Sequence, residues 1–309
     1  MLSYRHAFHA GNHADLLKHS VVCNILESLC KKEKPFAVFD THAGAGLYTL
    51  DDERALKTGE TSKGILCVNN RLSASKTDEI PESLKSYLEI TQKYSDHNLY
   101  PGSPEICRIF MNSDCFHGVC ELHNTEIEVL TDNLKNTPLI TKNPYSPKSV
   151  ETKIYHADGL NTACTVLPPA VKRGLVLIDP SYEEKTEYAD VLKAVKTIHK
   201  KWSAAIIAVW IPLLSHRKSE IDKLTDGMIE TAKARNQNTE ILVADLCVQK
   251  EDAHIERSLE ENQGAPRLYG SRMVVINMPW HLDTQSQDNL KFLSGLIDCD
   301  CPSFSVKLY

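Results

Sequence analysis

Apolar residues recur along the chain in short runs that polar stretches separate. Seven runs have the composition of strands, and they cover residues 36–40, 118–122, 153–157, 174–179, 204–211, 240–248 and 272–277. Several are nearly continuous in Val, Ile, Leu and Ala, which is typical of strands buried on both faces of a sheet. Between some of them apolar residues return at helical spacing, as Val191, Val195 and Ile198 do. The alternation predicts an α/β fold with a mainly parallel, seven-stranded sheet.

Residues 50–99 interrupt this pattern. They are polar, rich in Lys, Glu, Ser and Asp, and contain no strong strand signal. The spacing of Leu84, Tyr87 and Leu88 predicts a short helix there. We interpret residues 50–99 as an inserted helical subdomain within one domain formed by residues 1–49 and 100–309, the alternative being a long disordered loop.

Composition and charge narrow the function. Of the 309 residues, 42% are hydrophobic and 25% charged, as in ordinary globular proteins. The net charge of −6 argues against general, charge-driven nucleic-acid binding but not against a local basic patch. No apolar run reaches the roughly 18 residues of a membrane span, and no apolar signal region is visible. We expect a cytoplasmic protein with free cysteines, no membrane partner and no obligate protein partner.

A glycine-rich turn follows the first apolar run, at residues 40–46 (Asp-Thr-His-Ala-Gly-Ala-Gly). Glycines such as Gly44 let backbone amides approach a ligand closely. A phosphate-binding loop would need Gly-Lys-Ser/Thr, which is absent, and a dinucleotide site would need a third glycine where Thr49 stands. The remaining candidate is a nucleoside cofactor without a pyrophosphate, such as S-adenosyl-L-methionine.

Two acids end later strand candidates. Glu121 could accept hydrogen bonds from ribose hydroxyls, although the same residue could be an ordinary surface carboxylate. Asp158, followed by Gly159, could accept a hydrogen bond from the adenine amine of a cofactor. An Asp-Gly pair after a strand is more often a turn, so that alternative stays open.

The sharpest motif is Asp179-Pro180-Ser181-Tyr182, which follows an apolar run. A carboxylate and a backbone carbonyl that accept both N–H bonds of an aromatic amine would localise its lone pair. In this reading Pro180 fixes the turn and the Tyr182 ring stacks on the base. The alternative is a strand followed by an ordinary Asp-Pro turn.

Two other groups compete for a role. The stretch 277–280 (Asn-Met-Pro-Trp) has the same acceptor–proline–aromatic form, but chain order favours Asp179 and places Asn277 on a late, edge strand. His9 and His13 are four residues apart and could bind a metal from one helical face. No His-Glu-x-x-His pattern completes a metal site, so we predict none and favour a nucleoside or nucleic-acid pocket.

Together these motifs resemble the 23S ribosomal RNA adenine-N6 methyltransferases of the RlmJ type. The resemblance rests on the opening Met-Leu-Ser-Tyr-Arg-His-x-Phe-His-Ala-Gly-Asn-His-Ala-Asp-x-Leu-Lys-His, on the glycine turn, and on Tyr-Pro-Gly-Ser-Pro (100–104), Glu-Leu-His (121–123), Ala-Asp-Gly (157–159) and Arg-Gly-Leu-x-Leu-Ile-Asp-Pro (173–180). It implies a Rossmann-like methyltransferase fold with a small helical insertion. It also implies S-adenosyl-L-methionine as cofactor, S-adenosyl-L-homocysteine as product and 23S ribosomal RNA, deproteinised or in early assembly, as partner.

The resemblance also assigns roles to residues. It implies that the cofactor is held by Lys18, His19, His42, Ser103, Glu121, Asp158 and Gly159. It makes Asp179 the acceptor for the adenine amine and places Tyr4 near the target base.

One position departs from the family pattern Asp-Pro-Pro-Tyr, since Ser181 stands at the second proline. Both acceptors and Tyr182 remain, so we expect activity to persist. The alternatives are the same chemistry on DNA, with a role in the use of external DNA as a nutrient, and a nucleic-acid-binding protein that has lost catalysis.

Overall fold

The computed structural model describes residues 6–51, 59–74, 80–136, 139–141, 150–252 and 268–309. Its main sheet comprises β1 Ala37–Asp40, β4 Phe116–Glu121, β5 Thr152–His156, β6 Gly174–Ile178, β7 Ile206–Leu214, β8 Ile241–Cys247, β9 Leu268–Ile276 and β10 Ser303–Leu308. A separate antiparallel pair consists of β2 Leu47–Thr49 and β3 Leu99–Pro101. The main-sheet order is β10-β8-β9-β7-β6-β1-β4-β5, and the strands from β7 to β5 are parallel. The predicted α/β fold is confirmed.

The main sheet has eight strands, not the seven predicted. The additional strand, β10, pairs antiparallel with β8 at the edge of the sheet. Its sequence, Ser-Phe-Ser-Val-Lys-Leu, alternates polar and apolar residues, and no residue in it is fully buried. Continuous apolar runs indicate strands that are buried on both faces, so they do not reveal a half-exposed edge strand of this kind.

Helices cover both faces of the sheet. They are α1 His13–Cys30, α2 Glu60–Lys63, α3 Ile65–Ala74, α4 Glu82–Ser95, α5 Ser103–Phe110, α6 Asn124–Asn136, α7 Gly159–Val166, α8 Glu187–Lys201, α9 Lys218–Arg235 and α10 Leu282–Ser294. One apolar core joins α1, α4, α5 and α10 to one face, and a second joins α7, α8 and α9 to the other. This two-sided cover explains why the central strands read as continuous apolar runs.

Helix α1 carries several polar residues into the interior of the protein. The Asn12 side chain caps it by accepting hydrogen bonds from the backbone N–H groups of Ala14 and Asp15, at 2.9 and 3.1 Å. Apolar residues bury most of the helix, and Lys18 is buried with them. Because a buried charge needs compensating partners, the first two turns of α1 require a polar network inside the protein.

The described part of residues 50–99 contains α2, α3 and α4, placed between β2 and β3. The helix predicted from Leu84, Tyr87 and Leu88 is present as α4, and all three side chains are buried. At the base of the insertion Tyr48 pairs with Tyr100 across the two-stranded sheet. The division of the chain into two domains stays a prediction.

Two further sequence expectations bear on the fold. No helix among the described residues has both the length and the apolar character needed to cross a membrane. All ten cysteines are free, as predicted.

Asn277 does not lie on an edge strand, so that expectation is wrong. It follows β9, which runs antiparallel between β7 and β8 inside the sheet. The last residue of β9, Ile276, pairs with Ile207 near the start of β7. It therefore lies at the amino ends of the parallel strands, whereas Asp179 lies at their carboxyl ends. The Asn277 side chain donates hydrogen bonds to the carbonyls of Ser203 and Ala205, at 2.8 and 2.7 Å. Asn277 therefore closes a turn far from the strand ends that carry the acids.

Gly174 tests how closely the central strands pack. It begins β6, and a Cβ atom there would lie 1.9 Å from the carbonyl oxygen of Ala37. We expect Gly174→Ala to lower the free energy of unfolding by about 3 kcal/mol, since backbone must move to admit the methyl group. Gly295→Ala is the control, because a Cβ atom there would meet its nearest neighbour at 3.5 Å. Equal urea-unfolding midpoints for the two variants would contradict this packing.

Candidate active site

Four acids lie at the carboxyl ends of neighbouring parallel strands. Asp40 ends β1 and Glu121 ends β4, while Asp158 and Asp179 follow β5 and β6. In open α/β sheets this edge is where ligands bind. A cavity of about 400 Å³ opens there.

Most of the residues singled out from the sequence line this cavity. They are Lys18, His19, His42, Gly44, Ser103, Glu121, Asp158, Gly159, Asp179 and Pro180. Tyr4 lies outside the described residues. Tyr182 is not among the lining residues, whereas Trp210 is.

The glycine turn is tied directly to Glu121. Gly44 has a φ of 57°, in the left-handed region, and a Cβ atom there would lie 2.2 Å from the Tyr48 hydroxyl. The Gly44 N–H donates to Glu121 Oε2 at 2.9 Å, and the His123 N–H donates to Oε1 at 2.7 Å. Burial raises the pKa of Glu121. The turn and the acid thus form one unit, although 76 residues of chain separate them.

Asp158 and Gly159 begin helix α7 against the end of β1. Asp158 Oδ1 accepts a hydrogen bond from the Asn161 N–H at 2.7 Å, which caps the helix. A Cβ atom on Gly159 would lie 1.8 Å from the carbonyl oxygen of Thr41. Only glycine permits this approach, so the start of α7 lies directly beside the glycine turn.

Asp40 is a fully buried acid that accepts hydrogen bonds from two other residues. Ser103 donates to its Oδ2 at 2.6 Å, and the His42 N–H donates to its Oδ1 at 3.1 Å. Burial raises the pKa of Asp40 to about 6, against the hydrogen bonds that lower it. Burial also lowers the pKa of His42 to about 4, so this imidazole is neutral near pH 7.

Lys18 joins two carboxylates inside the protein. Its Nζ lies 2.9 Å from Asp15 Oδ1 and 2.5 Å from Asp179 Oδ2. The other oxygen of Asp15 accepts hydrogen bonds from the Gly11 N–H at 2.8 Å and from His6 Nε2 at 3.0 Å. Burial opposes the charge on Lys18, but the two carboxylates outweigh it and raise its pKa well above the usual value. The lysine is therefore a permanent cation.

Asp179 has one oxygen available for a ligand. Lys18 occupies Oδ2, and among the described residues no donor is bonded to Oδ1. Burial raises the pKa of Asp179, while the charge of Lys18 and its hydrogen bond act in the opposite direction. Asp179 lines the cavity, and Lys18 holds one of its two carboxylate oxygens in place.

The Tyr182 ring is buried and does not line the cavity. Tyr182 is 3% exposed, and its backbone φ is 54°. Its hydroxyl donates a hydrogen bond to the Trp210 carbonyl at 2.9 Å. Its ring lies 4.6 Å from that of Tyr188. Stacking of Tyr182 on a base stays a prediction, and it requires the ring to leave this position.

Among the cavity residues to which the sequence assigned no role are Asp15 and Trp210. Asp15 precedes Lys18 by three residues, which is the spacing of an ion pair on a helix, so a signal existed. Trp210 lies within an apolar run whose strand is the neighbour of β6. No signal in the sequence identifies it as a cavity residue.

The histidine-rich segment does not form a metal site among the described residues, where no group of three or more metal-ligating side chains occurs. His9 Nδ1 lies 2.8 Å from Glu60 Oε2, which links the segment to α2. Burial lowers the pKa of His13 to about 4.

The chain matches a protein family model and two named relatives over most of its length. The family model described as ribosomal RNA large subunit methyltransferase D, RlmJ, matches residues 33–306. The chain is 34% identical over 296 residues to ribosomal RNA large subunit methyltransferase J of Escherichia coli (strain K12), covering 95% of this chain and 93% of the relative. It is 35% identical over 298 residues to the protein of the same name from Haemophilus influenzae, with the same coverage.

The chain belongs to the RlmJ family of ribosomal RNA large subunit methyltransferases. A solved structure, protein LPL1258 from Legionella pneumophila, is similar over 97% of this chain and 98% of its own, with a TM-score of 0.77 and 27% identity. As an RlmJ-family member, the chain is a methyltransferase that uses S-adenosyl-L-methionine. The residues at the cavity fit that cofactor, because the Glu121 and Asp158 carboxylates that line it can accept hydrogen bonds from hydroxyl and amine groups of a nucleoside.

Asp40 provides a pH-dependent test of this site. Burial raises its pKa from the ordinary value of 3.8 to about 6 in the folded protein. Between these pH values the folded state binds more protons than the unfolded state, so stability falls as pH rises. Asn at this position carries no charge. We expect the stability of Asp40→Asn relative to the unsubstituted protein to increase by about 2 kcal/mol from pH 4 to pH 8.

Urea unfolding of the cofactor-free protein measures this difference. Asp114→Asn is the matched control, because Asp114 is exposed and is expected to leave the pH profile unchanged. Parallel pH profiles for Asp40→Asn and the unsubstituted protein would show that burial does not perturb this carboxyl group.

Proposed function

We propose that this chain transfers the methyl group of S-adenosyl-L-methionine to the exocyclic N6 amine of an adenine in 23S ribosomal RNA, with Asp179 as the hydrogen-bond acceptor. The observation that carries the proposal is the position of Asp179. Asp179 lines the same cavity as the glycine turn, Glu121 and Asp158, and Lys18 binds only one of its two oxygens. A donor site and an acceptor site at one cavity are what a direct transfer requires.

The carboxyl ends of β1, β4 and β5 would hold the cofactor. In this proposal Glu121 receives the ribose hydroxyls and Asp158 the adenine amine, while Ser103, His42 and the backbone at Gly44 and Gly159 complete the site. When bound, the cofactor supplies an electrophilic methyl group on a sulfonium sulfur. Lys18 and His19, which the family resemblance also assigns to the cofactor, lie on the Asp179 side of the cavity.

Asp179 would act by orienting the amine and not by strong basicity. Its Oδ1 accepts one N6–H bond and so directs the nitrogen lone pair at the methyl carbon. With the cofactor bound, the nitrogen held by Asp179 would gain the methyl group while the bonding pair stayed on the cofactor's sulfur. The methylated nitrogen then carries a positive charge and releases one proton to Asp179, which passes it to water. Lys18 favours the carboxylate form of Asp179 throughout.

The target adenine must leave its stack to enter a cavity of this size. Pro180, Trp210 and Pro212 line the side of the cavity next to Asp179 and provide apolar surface for a base. Recognition of the RNA would then depend on the shape of an accessible loop, because the chain is acidic overall. We accordingly propose deproteinised or early-assembly 23S ribosomal RNA as the substrate, modified in the cytoplasm.

Incubation with methyl-labelled cofactor and deproteinised ribosomal RNA tests the activity. Digestion to nucleosides is expected to place the label in N6-methyladenosine. A DNA fragment of matched sequence is the control and is expected to remain unlabelled. Label in the DNA instead of the RNA would overturn the choice of substrate, and label in another nucleoside would overturn the choice of atom.

Substitution at two acids separates their roles. Asp179→Asn is expected to lower kcat by about a thousandfold, because the loss of a positioned acceptor removes alignment and charge stabilisation together. The dissociation constant of the cofactor should change less than about twofold. Glu121→Gln should show the reverse pattern, with cofactor affinity reduced by roughly tenfold through loss of one charged hydrogen bond. Kinetics at saturating RNA and calorimetric titration with the cofactor measure both effects.

The assignment fails if both variants lose affinity and kcat together. It also fails if Asp179→Asn retains normal turnover.

A further inference from the structure

His19 lies between the Asp15 carboxylate and two tyrosines, Tyr87 of the inserted region and Tyr100 directly after that region. Its Nδ1 is 2.7 Å from the Tyr100 hydroxyl, which is 3.1 Å from the Tyr87 hydroxyl. On the other side of the ring, Nε2 is 3.8 Å from Asp15 Oδ1. His19, Tyr87 and Tyr100 are each no more than 1% exposed. Bulk solvent does not reach these groups, so their hydrogens need acceptors in the interior of the protein.

The imidazole of His19 carries one hydrogen near pH 7. Burial is the largest influence on this group and lowers its pKa to about 3, against the attraction of Asp15. A neutral imidazole has one donor nitrogen and one acceptor nitrogen, and the partners decide which is which.

The two tautomers of His19 differ in how many hydrogens of this group find an acceptor. With the hydrogen on Nε2, Tyr87 donates to Tyr100, Tyr100 donates to Nδ1, and the Nε2–H points towards the Asp15 carboxylate. With the hydrogen on Nδ1, the Tyr100 hydroxyl must donate to Tyr87 instead. The Tyr87 hydroxyl hydrogen then has no acceptor among the described residues, and the Nε2 lone pair faces a negatively charged oxygen. The first arrangement satisfies both tyrosine hydroxyls and Nδ1, and it turns the Nε2–H towards the Asp15 carboxylate, which at 3.8 Å is an electrostatic contact and not a hydrogen bond. The second arrangement leaves one tyrosine hydrogen without an acceptor and turns a lone pair towards that carboxylate.

We propose that Tyr100, supported by Tyr87, is a positioning residue for methyl transfer: it fixes His19 with its hydrogen on Nε2 and so holds Asp15 against Lys18, which in turn holds Asp179. The role of the last residue in this series rests on the proposed function. The other contacts are geometric and stand without it.

The proposal gives the inserted segment a part in catalysis. Tyr87 lies on α4 and Tyr100 on β3, at the end of the insertion, whereas His19, Asp15 and Lys18 all lie on α1. The series of contacts runs from the insertion to the acceptor carboxylate without entering the cofactor side of the cavity. Tyr100 also pairs with Tyr48, whose hydroxyl accepts a hydrogen bond from the Ala45 N–H of the glycine turn. Measuring kcat and the cofactor dissociation constant separately therefore distinguishes an effect on Asp179 from an effect on the cofactor site.

Nitrogen-15 NMR of histidine-labelled protein tests the proposal directly. The His19 signals are assigned by their loss in His19→Asn. In the unsubstituted protein we expect a protonated Nε2 and an unprotonated Nδ1 that is shifted by an accepted hydrogen bond. In Tyr100→Phe the Nδ1 signal should move downfield as it loses its donor, and kcat should fall about tenfold, as expected when one buried hydrogen bond is removed.

Tyr94→Phe is the matched control. Tyr94 is equally buried on the same helix as Tyr87, but its hydroxyl donates to Glu105 at 2.7 Å, outside this series. It should leave the His19 signals and kcat unchanged, although it also removes one buried hydrogen bond. Thermal unfolding confirms that each variant is folded.

A protonated Nδ1 in the unsubstituted protein overturns the proposal, and this result does not depend on whether any variant folds. A folded Tyr100→Phe with unchanged kcat overturns it as well. Absence of methyl transfer to RNA by the unsubstituted protein would overturn the proposed function instead, and the nitrogen signals would still decide the state of His19.

Discussion

Asp15 is a carboxylate with no exposure to solvent, and the geometry around Lys18 and Asp179 depends on it. It receives hydrogen bonds from Gly11 and His6 and pairs with Lys18. Removing charges from water is costly, and the cost is met only where each charge has close partners of opposite sign. Lys18 alone could not remain a cation among apolar side chains, and Asp179 alone would lose its charge to burial. The three residues stabilise one another as a set.

This set connects the N-terminal helix to the centre of the sheet. Asn12 fixes where α1 begins, and the helix then carries Asp15, Lys18 and His19 on successive turns into the interior. The acids on β1, β4 and β5 reach the cavity by a different route, through strand ends brought together by parallel pairing. The cavity is thus bounded on one side by strand ends and on the other by a buried helix, which separates a region suited to the cofactor from one suited to the base.

The strand ends that bound the cavity could be predicted from the sequence, whereas most contacts of the buried helix on its other side could not. Strand ends follow continuous apolar runs, so Asp40, Glu121, Asp158 and Asp179 could be located from hydrophobicity alone. The β10 edge strand alternates polar and apolar residues, and β9 reverses direction within the sheet, which chain order does not reveal. The partners of Asp15 and His19 also escaped prediction, since Tyr100 lies 81 residues from His19 and their contact arises only from tertiary packing. Tyr182 shows the opposite case, in which a motif was evident but its ring is buried and does not line the cavity.

A crystal structure of the protein with bound S-adenosyl-L-homocysteine tests the central claim most directly, because it locates the sulfur relative to Asp179. The account predicts that the ribose lies beside Glu121, that the sulfur faces the available Oδ1 of Asp179, and that Asp15 still holds Lys18. A cofactor bound elsewhere, or an Asp179 carboxylate turned away from the sulfur and beyond the reach of a transferred methyl group, would contradict it.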